Sequence, residues 1–142
     1  MEKNKFKILS IDGGGVRGVF PAHILKRVSE EFEINNYYKE FDLIVGTSTG
    51  SIIAAGLAIG ISISNIYDLY LKKSEDIFAN KRILPLLNPL YNKQKLKKLI
   101  IDIFKDKKMK DSKTKLMIPA TDLTNGDVYI HKSNYDNNFV RD

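Results

Sequence analysis

The chain of 142 residues has no cysteine and only two histidines. The first absence rules out a disulfide framework and any thiolate-held metal. The second leaves too little imidazole for a histidine cluster, so neither a structural metal nor a cofactor is expected. Long apolar runs are missing as well. The longest uncharged one, residues 52–61, falls well short of the roughly 20 residues that span a bilayer, and reads as a buried helix. Ahead of Asp12 the N-terminus offers only Phe6 to Ile11 as an apolar stretch, too short for a signal-peptide core, so a cytoplasmic protein is the expectation. There is no internal repeat and no low-complexity linker.

What is present suits one globular domain, with 43% hydrophobic and 28% charged residues. The net charge of +6 is unevenly placed: residues 93–115 hold ten lysines against Asp102, Asp106 and Asp111, while the remainder is nearly neutral. Such a patch either solvates one face or attracts an anionic membrane surface; no nucleic-acid partner is expected.

Phe6 to Ile11 is a β-prone run ended by Asp12-Gly13-Gly14-Gly15, hence a strand feeding a tight turn. A helix should follow, with Pro21 in its first turn and Phe20, Ile24, Leu25, Val28 and Phe32 as its apolar stripe, up to the Asn35-Asn36 break. Phe41 to Val45 reads as a second strand and residues 48–59 as a small-residue helix. This β-α-β-α order predicts a mostly parallel sheet with helices on its faces.

Ser62 or Ser64 is placed to cap a helix running to about Phe78, whereas Pro85 and Pro89 make Ile83 to Tyr91 a loop. From Lys93, Leu96, Leu99, Ile100, Ile103 and Phe104 recur at helical spacing, with lysines on the outer face. Leu116 to Thr121 and Asp127 to His131 flank Asn125-Gly126 and predict a hairpin.

The sharpest chemical signal is Gly46-Thr47-Ser48-Thr49-Gly50, a G-x-S-x-G set between a predicted strand and a predicted helix, the setting of a nucleophile elbow. Gly46 and Gly50 would let the strained turn pass close to its neighbours, and Ser48 would project its hydroxyl over the positive end of the helix behind it. The second signal is Asp12-Gly13-Gly14-Gly15-Val16-Arg17-Gly18, whose bared amides suit an oxyanion. Gly13, Gly15 and Gly18 also match the dinucleotide fingerprint G-x-G-x-x-G, with Glu40 or Asp42 at a ribose-contacting distance, but that reading leaves Ser48 without a purpose.

Taken together, the D-G-G-G-x-R-G loop and the G-T-S-T-G elbow resemble those of patatin-like phospholipases, and Ile118-Pro119-Ala120-Thr121-Asp122-Leu123 is similar to a strand of the same family. The resemblance runs over essentially the whole chain. It implies a three-layer α/β/α fold with a mostly parallel central sheet, and hydrolysis of fatty-acyl esters of phospholipids or related lipids. Ser48 falls on the family's nucleophile. The oxyanion and substrate contacts fall on the loop 12–18 (Gly13, Gly14, Gly15, Arg17, Gly18) and on the Thr49 amide.

The family pairs its serine with an aspartate from a D-G-G or D-G-A turn far downstream. No such turn is found here: the one Asp-Gly pair is Asp12-Gly13, already assigned to the oxyanion loop. Residues 1–142 therefore read as the N-terminal portion of such a domain, expected to be inactive alone. Alternatives within the chain are weak. Asp122 or Asp127 followed by His131 keeps the Ser-Asp-His order of α/β-hydrolases, but His131 reads as a solvated strand end, His23 as solvent-facing, and Asp12 as a turn former. Leu84, Leu86, Leu87 and Leu90 would form an apolar lip or fill core. A non-catalytic lipid- or membrane-binding module, using the lysine patch, is the alternative function.

Overall fold

The computed structural model describes residues 5–78 and 93–133. The segment 83–91, read above as a loop or lip, and Asp142 lie outside the described residues.

Strand β1 (Ile8–Ile11) leads through a 3-10 turn at Gly15–Gly18 into helix α1 (Val19–Glu31), a short helix α2 (Tyr37–Glu40) and strand β2 (Leu43–Gly46). Then come α3 (Thr49–Ile59), α4 (Ile63–Phe78), α5 (Lys93–Phe104), a 3-10 turn at Met109–Asp111, β3 (Lys115–Thr121) and β4 (Val128–Lys132). The strand order is β1-β2-β3-β4; the first three run parallel and β4 antiparallel. This is the α/β class that the alternating elements predict.

The core forms where α3 lies on the sheet. Ile11, Ile44 and Leu116 from three strands meet Ile53, Ala54, Leu57 and Ala58 of α3, and α4 closes over them with Ile63, Ile66 and Tyr70. Burying each isoleucine or leucine gains about 1.5–3 kcal/mol, against at most about 0.7 kcal/mol lost to isoleucine's poorer helix propensity, so burial decides the helical state of α3. On the other sheet face Ile8 is 55% exposed. A second cluster joins Leu99 and Ile103 of α5 to Ile52, with Leu96 and Phe104 alongside, as the helical spacing predicts. Ile100, expected in that stripe, is exposed instead, as is its neighbour Ile101.

One expectation needs correction, and two details are added. The stripe assigned to α1 is not its buried face: Phe20, Ile24 and Phe32 are exposed, Leu25 and Val28 are half-buried, and Ala22 is fully buried. α1 packs against α4, and the small Ala22 is what joins the core, so close approach rather than side-chain size selects the contact face. Helix α2, where Tyr37 enters the core and its hydroxyl donates to the Leu25 carbonyl, is too short to leave a periodic signal. The β3–β4 hairpin forms where the sequence predicts it; its turn spans Asp122 to Asp127, with Gly126 at φ 75° and Asn125 not left-handed. Asp122 closes that turn: its carboxylate accepts from the Thr124 amide at 2.8 Å and its carbonyl from the Gly126 amide at 2.8 Å.

Candidate active site

β1 and β2 are parallel neighbours whose last ladder pair is Ile11 with Gly46, so the chain after each strand emerges at the same sheet end. One further main-chain bond, Thr47 N–H to the Ile11 carbonyl at 3.2 Å, holds the two exits together. Ser48 then turns the chain into α3.

Ser48 has φ 49° and ψ −124°. Positive φ also occurs at Glu33 and Lys105, but each of those follows a helix end, where a left-handed residue is an ordinary terminator. Ser48 instead opens a helix, and its ψ lies outside the left-handed helical basin, a conformation that costs on the order of 1–3 kcal/mol and is retained only where surrounding structure enforces it. The enforcement is visible. A Cβ at Gly50 would collide with the Ile11 and Asp12 carbonyls, and one at Gly46 with the Gly50 carbonyl and Ala54. Ser48 is exposed at the N-terminus of α3, while the adjacent Thr49 is buried. The Ser51 amide and hydroxyl both donate to the Ser48 carbonyl, the amide at 3.0 Å.

The glycine loop lies directly against this turn. A Cβ on Gly13 would stand 2.5 Å from the Ser48 Cβ. The Gly13 amide donates to Thr47 Oγ1 at 3.1 Å and the Gly14 amide to Thr49 Oγ1 at 3.2 Å. Gly15, buried and at φ 61°, reverses the chain into the 3-10 turn, leaving its amide as the one in the bend that neither threonine engages. Gly18 is buried against Thr49 and the Tyr70 ring. Arg17 is exposed on that turn.

Beneath the elbow, the Tyr70 hydroxyl of α4 donates to the Thr49 carbonyl at 2.7 Å. Burial pushes the Tyr70 phenol well above its ordinary value; the Thr49 side chain acts in the opposite sense. Beside Gly13 and Arg17 an open groove of about 800 Å³ runs between β1 and α1, lined by Leu9, Ile11, Val19, Phe20, Ile24 and Leu25.

Other candidates lie elsewhere. Asp42 immediately precedes β2, at the sheet end opposite the glycine loop, and accepts from the Lys7 amide at 2.7 Å, which removes the ribose contact that a dinucleotide site requires. His131 is on β4, separated from β2 by β3, with its ring edge-on to Tyr129 at 4.7 Å. His23 is exposed and faces Tyr67 across the α1–α4 contact. Asp12 is exposed. Two residues of the site, Thr47 and Tyr70, escape a reading of the sequence. Thr47 has no mark there beyond its place in the elbow motif, and Tyr70 carries the same periodic signal as any core position of α4.

Among the described residues no three acidic or histidine side chains gather as a metal site, and no helix is long and apolar enough to cross a membrane.

The family model for patatin-like phospholipase matches residues 9–141. A cGAMP-activated phospholipase from Escherichia coli (strain TW11681) is 32% identical, aligned over 100% of this chain and 43% of its own length. A cGAMP-activated phospholipase from Vibrio cholerae is 34% identical, over 99% of this chain and 44% of its own. An intracellular phospholipase A2 from Caenorhabditis elegans is 36% identical over 72% of this chain and 9% of its own length. The chain thus spans less than half the length of these relatives.

Proposed function

This chain belongs to the patatin-like phospholipase family, and from that premise we propose that it carries the nucleophile and oxyanion loop of a serine acyl hydrolase acting on fatty-acyl esters of phospholipids or related lipids. The observation that carries the reading is Ser48: exposed, held at φ 49° at the start of α3, and packed against a glycine bend. Strain of this kind is maintained where a side chain must be presented in one direction.

In the proposed reaction Ser48 Oγ attacks the ester carbonyl carbon and its proton passes to a carboxylate. Negative charge gathers on the former carbonyl oxygen, where the Gly15 and Thr49 amides and the positive end of α3 stabilise it. The alcohol departs with a proton, and water then releases the fatty acid from the acyl-serine. Following the family, the carboxylate is an aspartate outside residues 1–142, since Asp12 is the one aspartate here that opens a glycine turn. Residues 1–142 alone are accordingly proposed to be inactive. The groove lined by Leu9, Val19, Phe20 and Ile24 gives an acyl chain apolar surface beside the reacting carbonyl.

Two further features belong to the proposal. Lys97 and Lys98 on α5 and Lys105 just past its end are exposed, as is Ile101 at 53%, which suits peripheral contact with an anionic membrane, the apolar side chain entering between headgroups. The two bacterial relatives are named as cGAMP-activated, and we extend to this protein the proposal that a cyclic dinucleotide raises its activity.

The test is a lipase assay on the complete protein, with and without cGAMP, against its Ser48→Ala variant. Turnover that needs Ser48 supports the hydrolase; a Ser48→Ala variant as active as the parent overturns it. A complete protein that binds anionic vesicles without any turnover favours the non-catalytic lipid-binding module.

A further inference from the structure

The stretch Asp12-Gly13-Gly14-Gly15 is the most conformationally free in the chain, because three successive residues lack a Cβ. A bend of that composition does not hold its amides in fixed positions by itself. Fixing such residues costs backbone entropy, which a partner must offset. In this structure the partners are the two residues that bracket Ser48. The β1–β2 ladder ends at Ile11 and Gly46, and the Thr47 amide adds one more bond to Ile11. From there side-chain hydroxyls continue the pairing: Thr47 Oγ1 accepts from Gly13 and Thr49 Oγ1 from Gly14, at 3.1 and 3.2 Å. Thr49 is itself fixed, 4% exposed, in contact with Gly18, its carbonyl held by Tyr70.

We propose that Thr47 and Thr49 are positioning residues, whose hydroxyls lock the glycine bend onto the nucleophile turn so that the remaining loop amide, Gly15, is held at a fixed place. The inference rests on the reading of Ser48 as nucleophile. The three amides then have separate roles, with Gly13 and Gly14 holding the loop and Gly15 kept for the substrate oxygen. The same division gives a reason for threonine on both sides of the serine. Successive amides of the bend lie opposite alternate residues of the elbow, so one hydroxyl before and one after Ser48 reach both.

The role predicts a loss in kcat with little change in KM, since a wandering donor weakens transition-state stabilisation but not the apolar contacts that bind substrate. The experiment compares Thr47→Val, Thr49→Val and the matching Thr→Ser variants in the complete protein. It uses p-nitrophenyl butyrate as substrate, and amide hydrogen exchange across residues 12–18 as a second readout. Each valine keeps the side-chain volume and removes the acceptor. The expected result is a drop of about 10- to 100-fold in kcat for each valine variant with KM within about threefold, kcat largely restored by serine, and faster exchange at Gly13 or Gly14. Valine variants that fold and keep the parent kcat overturn the proposal, as does a serine variant as impaired as its valine counterpart, which would point to the methyl group. Exchange that does not quicken in the valine variants overturns the hydroxyl lock whatever the kinetics show. Failure of the nucleophile reading registers separately, as a Ser48→Ala variant that still turns over substrate.

Discussion

A Cβ placed on Gly13 stands 2.5 Å from the Cβ of Ser48 and 2.6 Å from the Thr47 carbonyl oxygen, closer than real side chains approach one another. The glycine loop and the elbow are therefore one packed unit, and neither can move without the other. Gly13→Ala must displace Ser48, the Thr47 carbonyl, or the loop. The expected outcome in the complete protein is a loss of roughly 100-fold or more in ester hydrolysis with the fold retained, because displacements of about 1 Å cost on that order. Paired measurements of kcat and circular dichroism check it.

Gly50→Ala should act on stability as well as on activity. Its added methyl meets the Ile11 and Asp12 carbonyls, which belong to the backbone and cannot swing aside as a side chain can. A destabilisation of about 1–3 kcal/mol is expected, measured as a lower urea midpoint with unchanged slope.

Tyr70→Phe removes the hydroxyl that holds the Thr49 carbonyl while keeping the ring that fills the space beside Gly18. The expected cost is about 1 kcal/mol, and it should be larger for Tyr70→Leu, which also loses ring packing. Thermal denaturation of the three proteins orders them.

Alkaline pH should weaken the fold through the same residue and through Tyr37. Burial pushes the Tyr37 phenol up to about 12 and raises Tyr70 as well, so the folded state holds both protons after the unfolded chain, at about 10, has begun to release them. The stabilisation is complete below about pH 10 and is lost as pH rises from there through about 12. A Tyr37→Phe variant should show a shallower decline over that range. Equal slopes for parent and variant would remove Tyr37 from the account.

Much of this arrangement is legible in the residues. The elbow is readable because G-x-S-x-G sits between an apolar run and a small-residue segment, and α4 and α5 because their spacing is helical over three turns or more. Partners that arise only from three-dimensional register are not readable. Nothing local says that Gly13 and Gly14 give their amides to Thr47 and Thr49, or that Ala22 rather than Phe20 faces the core. The unexpected orientation of α1 has a physical origin: periodicity reports where apolar side chains are, and Phe20 and Ile24 line a groove between β1 and α1 instead of filling the interior.

Lys97→Glu with Lys98→Glu should weaken sedimentation with phosphatidylserine vesicles, and raising salt should weaken it in the parent, if α5 meets an anionic surface. Binding insensitive to both would assign the lysines to solvation alone.

The claim on which the rest depends is that Ser48 is a reactive nucleophile. Treating the complete protein with a fluorophosphonate and locating the adduct by peptide mass spectrometry tests it directly. The account predicts a single phosphonyl group on the peptide containing Ser48, none in Ser48→Ala, and slowed labelling in Thr49→Val. An adduct on another residue, or none while ester hydrolysis proceeds, would contradict it.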